Sequence, residues 1–359
     1  MKVAYVFSTS GHTASYKLGK MILPQLEQAR TVLSELRIGE PARLLEELDR
    51  LERERRRAQQ ELSARHAEVD AETTKEKTLA RDLARAHDDF NEALREMLQG
   101  IEGLVFAAGM DDRVVPKAPA YPKFYAANVA STRRLIRLGK EAGIRKAVVF
   151  SSYFVTCHRR WSEMRLAEHH PYIRSRVEQI REALEEAGDQ MAVSFLMLPY
   201  IFGSLPGMIP LWKPLIGYLN SRLPWVFYPA GGSAMVTADE VGRAAARALE
   251  AGRSGVEWQI ASDNLTWTDF LGRLGAMLGK PKPVLTLPKW LLKTAMAGVE
   301  LGYRLKGKQS GLSMVPFVDL QTRDAFLDTH SSRQELGYEK GDLDKALAET
   351  VRACLSSSS

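Results

Sequence analysis

The sequence predicts an α/β chain: a doubly wound parallel sheet, a smaller C-terminal α+β region and a long charged helix inserted near the start. Two kinds of observation carry this. Short apolar runs at residues 104–106, 147–150 and 193–198 each stop at small or turn residues, which suits strands covered on both faces of a parallel sheet. Residues 41–76 hold no glycine and a single proline, Pro41, and are dominated by Glu, Arg, Ala, Gln and Leu, the composition of a solvated helix.

Bulk properties narrow the function classes. The chain has 359 residues, a formal net charge of +6, 45% hydrophobic and 26% charged residues, enough to bury a full core. The positive charge is interleaved with acidic residues, so it admits an anionic small molecule but lacks the clustered footprint of a nucleic-acid binder. Two cysteines, Cys157 and Cys354, rule out a disulfide framework and fit a reducing compartment. No apolar run approaches the roughly 18 residues of a membrane span, and the N-terminus lacks a signal-peptide core. A cytoplasmic location is expected, with a homodimer left open.

In chain order, residues 2–7 read as a strand. The turn Ser8-Thr9-Ser10-Gly11-His12-Thr13-Ala14 follows, then a helix to about Leu26. Backbone N–H groups at such a strand–turn–helix junction can hold a pyrophosphate, although a plain turn reads equally well. Residues 30–36 are a second strand or a helix. In residues 41–76, Leu44, Leu48, Leu51, Ala58, Leu62 and Val69 form a thin apolar stripe, as in a charged exposed helix or a partner-binding coiled coil. Asp88 caps a helix that ends at Gly100. The run at residues 101–109 is a strand ending in Ala107-Ala108-Gly109, whose lack of bulk lets a ligand approach the backbone. Asn128 opens a helix to about Gly143.

Ligands in open parallel sheets sit at the carboxyl ends of the strands. Ser151, Ser152 and Pro199-Tyr200-Ile201 all fall there. Tyr172 and Arg176, four apart, share one helix face. A cation beside a phenol favours the phenolate, which would bring the tyrosine toward acid–base work near neutral pH. His169 and His170 read as a surface pair before Pro171, since a metal site would need further ligands at suitable spacing. Beyond Gly203 come strands near residues 225–229 and 234–236, a Thr237-capped helix, a strand at residues 257–260 and a helix capped by Thr266. Residues 288–304 form an amphipathic helix, either a lid or core element or a membrane-surface contact.

These residues together resemble the short-chain dehydrogenase/reductase superfamily in its extended or atypical branch, the NAD-dependent epimerase/dehydratase type. Leu104-Val105-Phe106-Ala107-Ala108-Gly109 resembles the fourth strand, Asn128-Val129-Ala130-Ser131-Thr132 the Asn-Val-x-Gly-Thr motif, Tyr172-Ile173-Arg174-Ser175-Arg176 the Tyr-x-x-x-Lys motif, and Pro199-Tyr200-Ile201-Phe202-Gly203 the turn over the nicotinamide. The resemblance runs from about residue 77 to the end. Residues 1–27 also resemble the opening of DsrE-like sulfur-relay proteins, without a cysteine for that chemistry.

The resemblance implies a Rossmann-like NAD(P)-binding domain over residues 1–203, with 41–76 inserted. Residues 204–355 would be the substrate region, with 234–262 partly returning to the main sheet. It implies Tyr172, Arg176 and Ser152 as catalytic. It implies cofactor contacts at Ser8, Gly11, His12 and Thr13, at Asp82 and Leu83 ending a third strand over residues 77–83, at Ala107, Ala108 and Gly109, and at Asn128, Ser151, Pro199, Tyr200 and Ile201. Tyr153, Phe154 and Asp111 would face substrate. The departures from the family are Ser8 and Ala14, which leave one glycine of three in Ser8-x-x-Gly11-x-x-Ala14, Tyr153 where a Ser or Thr is usual, and Arg176 in place of Lys. Glu35 would select NAD and Arg37 NADP. The expected activity is NAD(P)-dependent oxidation–reduction, epimerisation or dehydration at a hydroxyl or carbonyl of a small organic or sugar-derived molecule. The alternative is a catalytically weak dinucleotide-binding sensor or scaffold that recruits a partner through residues 41–76.

Overall fold

The computed structural model describes residues 41–204 and 212–356. The expected strands at residues 2–7 and 30–36, and the turn bearing Ser8, Gly11, His12 and Thr13, lie outside the described residues. The described residues divide after Phe90 into two units.

A single helix of 57 residues spans Pro41–Met97. This corrects three sequence expectations. The inserted helix does not end at residue 76, residues 77–83 form no strand, and Asp88 lies inside the helix and caps no new one. Arg81, Arg85 and the alanines around them suit a helix, and no break separates them from Glu76. Asp82 and Leu83 therefore stand on an exposed helical face. The helix is laced by pairs such as Arg50–Glu47 at 2.8 Å, each worth a few tenths of a kcal/mol, about 0.3–0.5.

The second unit is built on strands β1 (Gly103–Phe106), β2 (Lys146–Ser152), β3 (Ala192–Leu198) and β7 (Glu257–Gln259), paired in the order β1-β2-β3-β7. All three pairings are parallel. The runs are apolar throughout because both faces are covered. Val149, Val193, Phe195 and Met197 meet Ile180 and Ala183 of the Pro171–Ala187 helix on one side. Val148, Leu196 and Leu198 meet Val241, Ala244 and Ala248 of the Ala238–Ala251 helix on the other. The alternation is the two-residue period of a strand. Each fully buried side chain of this set contributes about 1.5–3 kcal/mol.

Three strands form a second sheet in the order β10 (Asp324–Ala325), β6 (Gly232–Thr237), β4 (Tyr200–Phe202), and β8 (Asp263–Thr266) runs antiparallel to β6. Strands β5 (Val226–Tyr228) and β9 (Val284–Thr286) pair separately. Thus β6 belongs to the second sheet while β7 joins the main one. The threonine caps form as expected. The hydroxyl of Thr237 accepts from Glu240 N at 3.1 Å, and that of Thr266 accepts from Asp269 N at 3.1 Å. The Lys289–Leu305 helix buries no residue fully. It turns Met296 and Tyr303 toward a cavity and exposes Trp290, Leu301 and Leu305. No helix among the described residues is long and apolar enough to cross a membrane.

Candidate active site

The carboxyl ends of β1, β2 and β3 open onto a cavity of about 730 Å³, within the usual range for a ligand site. Its floor is Ala107, Ala108 and Gly109 after β1, Ser151 and Ser152 ending β2, and Pro199, Tyr200 and Ile201 after β3. Tyr172 and Arg176 enter from the Pro171–Ala187 helix. Pro171 at its first position fixes a helical φ and needs no N–H partner.

Asn128 does not line the cavity; it braces the floor from behind. It sits in a π-helical turn, Tyr125–Ala130. Its Oδ1 accepts from Met110 N at 2.7 Å, and its Nδ2 donates to Ser175 Oγ at 3.0 Å. The loop after β1 is thereby tied to the helix carrying Tyr172. Gly109 lies between them at φ +148°. A Cβ there would stand 2.7 Å from Asn128 Oδ1 and 3.1 Å from an Arg176 Nη. Only glycine leaves this approach open.

Tyr172 and Arg176 are both buried, 7% and 8% exposed. The guanidinium carbon lies 5.2 Å from the phenol ring centre. Arg176 Nη1 donates to Gln179 Oε1 at 3.0 Å and Phe150 O at 3.3 Å. Burial pushes the Tyr172 phenol above its ordinary pKa; Arg176 and the Ser152 hydroxyl oppose that push without cancelling it. Burial outweighs the cation that the sequence places beside the phenol, so the phenol is protonated, not ionised, at neutral pH. Among the described residues, two buried polar atoms in this wall have no partner, Ser151 Oγ and Arg176 Nε. Buried polar groups are nearly always bonded, so these atoms, beside a floor without side-chain bulk, fit the polar edge of a bound dinucleotide.

The substrate-facing candidates divide. The Tyr153 hydroxyl is bonded to Ser233 Oγ at 2.9 Å, and burial raises its pKa well above the usual value. It is thus committed to the second sheet. Phe154 is buried edge-on against Tyr172 and Phe317, with ring centres 6.3 and 6.0 Å apart. Asp111 is held by Arg113, whose Nε donates at 2.6 Å. Burial acts to raise the Asp111 pKa, but the bonds and charge of Arg113 outweigh it and bring the pKa down. Its neighbour Asp112 behaves oppositely: burial, then the charge of Asp111, push it up to about 7. Asp112 is the more telling carboxyl of the pair, and sequence reasoning singled out the other one.

His170 also departs from expectation. It is fully buried, with Nδ1 accepting from Ser313 N at 3.0 Å, so it anchors the loop before the Met314–Gln321 helix. Among the described residues no group of three His, Cys, Asp or Glu side chains is placed to hold a metal ion. The remaining wall comes from distant parts of the chain, including Trp212, Tyr228, Met296, Leu312, Met314 and Phe317. The only sequence signal for them was the amphipathic pattern at residues 288–304.

No protein-family model matches this sequence, and no curated protein does. Solved structures do match. The crystal structure of gox2253 aligns with a TM-score of 0.58 at 18% identity, over 74% of this chain and 82% of that one. A nucleoside-diphosphate-sugar epimerase from Pseudomonas aeruginosa aligns at 0.52 and 19%, over 74% and 80%. The fold is the Rossmann-type α/β fold that these solved structures share. A UDP-glucuronic acid 4-epimerase from Bacillus cereus, crystallised with UDP-glucuronic acid and NAD, shares this fold at a TM-score of 0.50 and 13% identity, over 73% and 78%. At these identities the likeness is one of architecture.

Proposed function

We propose that this chain is an NAD(P)-dependent enzyme that oxidises or reduces a hydroxyl or carbonyl of a small organic molecule, with epimerisation or dehydration as variants of that chemistry. The observation that carries the reading is the convergence of Tyr172, Arg176, Ser151 and Ser152 on one cavity whose floor is kept open by Gly109. Ala107, Ala108, Gly109, Ser151 and Arg176 would hold the dinucleotide, with Pro199, Tyr200 and Ile201 beside the nicotinamide. When bound, the nicotinamide supplies a hydride donor or acceptor at C4. Tyr172 holds the mobile proton at its hydroxyl and delivers it to a substrate oxygen, a role its protonated state suits in the reductive direction. Ser152, whose hydroxyl acts to lower the Tyr172 pKa, would orient it. Arg176 would stabilise the phenolate left behind.

Titration with NAD⁺ and NADPH, followed by tryptophan fluorescence, tests the first step; no binding of either at millimolar concentration rejects the reading. Tyr172→Phe tests the second, and is expected to abolish turnover while leaving dinucleotide affinity nearly unchanged.

The raised Tyr172 pKa and the committed Tyr153 hydroxyl favour a second reading, a dinucleotide-binding sensor of low activity that recruits a partner through the Pro41–Met97 helix. Deleting residues 41–76 separates the two: catalysis kept with assembly lost points to a partner arm, and a monomer in both forms counts against it.

A further inference from the structure

We propose that the substrate is an uncharged, largely apolar ketone or secondary alcohol, not a sugar carried on a diphosphate. This rests on the dehydrogenase reading above and names the substrate class of the same site. Beyond Tyr172 the cavity wall is made by Trp212, Leu215, Met296, Leu312, Met314 and Phe317. These side chains lie on three helices, or just before them, and on the loop at residues 310–313, so the apolar surface closes around a ligand from several directions. The polar side chains among them are mostly neutral, the Tyr172 and Ser152 hydroxyls at one end and Tyr228, Tyr303, Ser310 and Gln321 around the wall. That pattern fits an uncharged molecule with a few oxygens to present and hydrocarbon elsewhere.

A diphosphate would need cations. Among the described residues lining the cavity there are two, Arg113 and Arg176. Arg176 is turned to Gln179 and the phenol ring. Arg113 is held by Asp111 and lies 3.9 Å from Asp112, so a phosphate arriving there meets two carboxyl groups for one guanidinium. An adjoining recess of about 330 Å³, which shares Tyr303, Ser310 and Met314 with the cavity, carries Arg304 and Lys308, and Arg304 there is paired with Glu300 at 2.6 Å. Burying a phosphate against Leu, Met and Phe without a partner is strongly unfavourable, whereas each buried methylene of an apolar ligand contributes about 0.8 kcal/mol.

The test is calorimetric titration of the full chain with 2-decalone and with UDP-glucose, each with and without NAD⁺. Decalone is expected to bind at least about tenfold more tightly than UDP-glucose. Met314→Lys, which places a cation in the apolar wall, is expected to weaken decalone about tenfold and leave NAD⁺ affinity unchanged. Met296→Lys, on a helix that buries no residue fully, gives the same readout if the first variant fails to fold. UDP-glucose binding equal to or tighter than decalone, or decalone affinity untouched by both lysines, overturns the proposal. Loss of NAD⁺ binding with decalone binding intact would reject the dehydrogenase reading and leave the apolar site standing.

Discussion

The guanidinium of Arg176 lies 5.2 Å from the centre of the Tyr172 ring, one helical turn along the same face, and both side chains are buried. The charge opposes a burial effect that otherwise drives the phenol pKa upward. Arg176→Ala should therefore raise that pKa further and cut turnover about 100-fold. Arg176→Lys keeps a positive charge but loses the planar donor pair to Gln179 and Phe150, so activity within about tenfold of the parent is expected. Rate–pH profiles check this: the alkaline limb should move up in the alanine variant and stay near its place in the lysine variant. Identical profiles in all three proteins would remove Arg176 from the proton chemistry.

Gly109 tests the floor of the cavity. A methyl group there would stand 2.7 Å from Asn128 Oδ1, at a φ that side chains rarely adopt. Gly109→Ala is expected to cost about 1–3 kcal/mol of folding stability, measured by urea denaturation. Dinucleotide binding should weaken more than the stability loss explains, because the bracing of Met110 by Asn128 must shift.

Much of the main sheet was legible before any coordinates. The runs at residues 147–150 and 193–198 are apolar on both faces and end at Ser151 and Pro199, so their type and their exits follow from composition alone. Tyr172 and Arg176 followed from helical spacing. The Pro41–Met97 helix was half seen: its charge pattern continues past residue 76, but likeness to a strand-forming family placed a break at 77–83 that local propensity does not support. Burial escaped the sequence. It sets the Tyr172 pKa and hides His170, and both effects come from elements far along the chain. The choice between Asp111 and Asp112 depends on which carboxyl Arg113 reaches, a matter of loop geometry that adjacent identical residues cannot signal.

Asp112 makes stability depend on pH in a definite direction. Its folded-state pKa is pushed up to about 7, above the ordinary carboxylate value. Between about pH 4 and 7 the folded chain holds a proton that the unfolded chain has lost, so stability falls as pH rises and levels off above 7. Asp112→Asn removes this slope. The variant should match the parent near pH 4 and be more stable at pH 8, on the order of 1–2 kcal/mol once the opposing shift of Asp111 is allowed for. Denaturation midpoints across this range check it. A constant difference at every pH would show that Asp112 ionises normally.

Glu240 offers a control outside the cavity. It is fully buried, and its Oε1 faces Arg333 Nη2 at 3.3 Å. Its Oε2 accepts from Gly341 N at 2.8 Å and from the Ser262 hydroxyl. Arg333 also donates to Ala261 O at 2.8 Å. The carboxylate thus clamps the Ala238–Ala251 helix to the His330–Leu336 helix and the turn after it. Glu240→Gln leaves Arg333 without its counter-charge and turns an amide N–H toward groups that donate. A loss of about 3 kcal/mol is expected. Arg333→Met alone should cost a similar amount, and the double variant less than the sum of the two, because each single change strands the other's charge. Dinucleotide affinity in the folded variants should be unchanged. Additive losses would mean that the pair contributes through packing and not through charge.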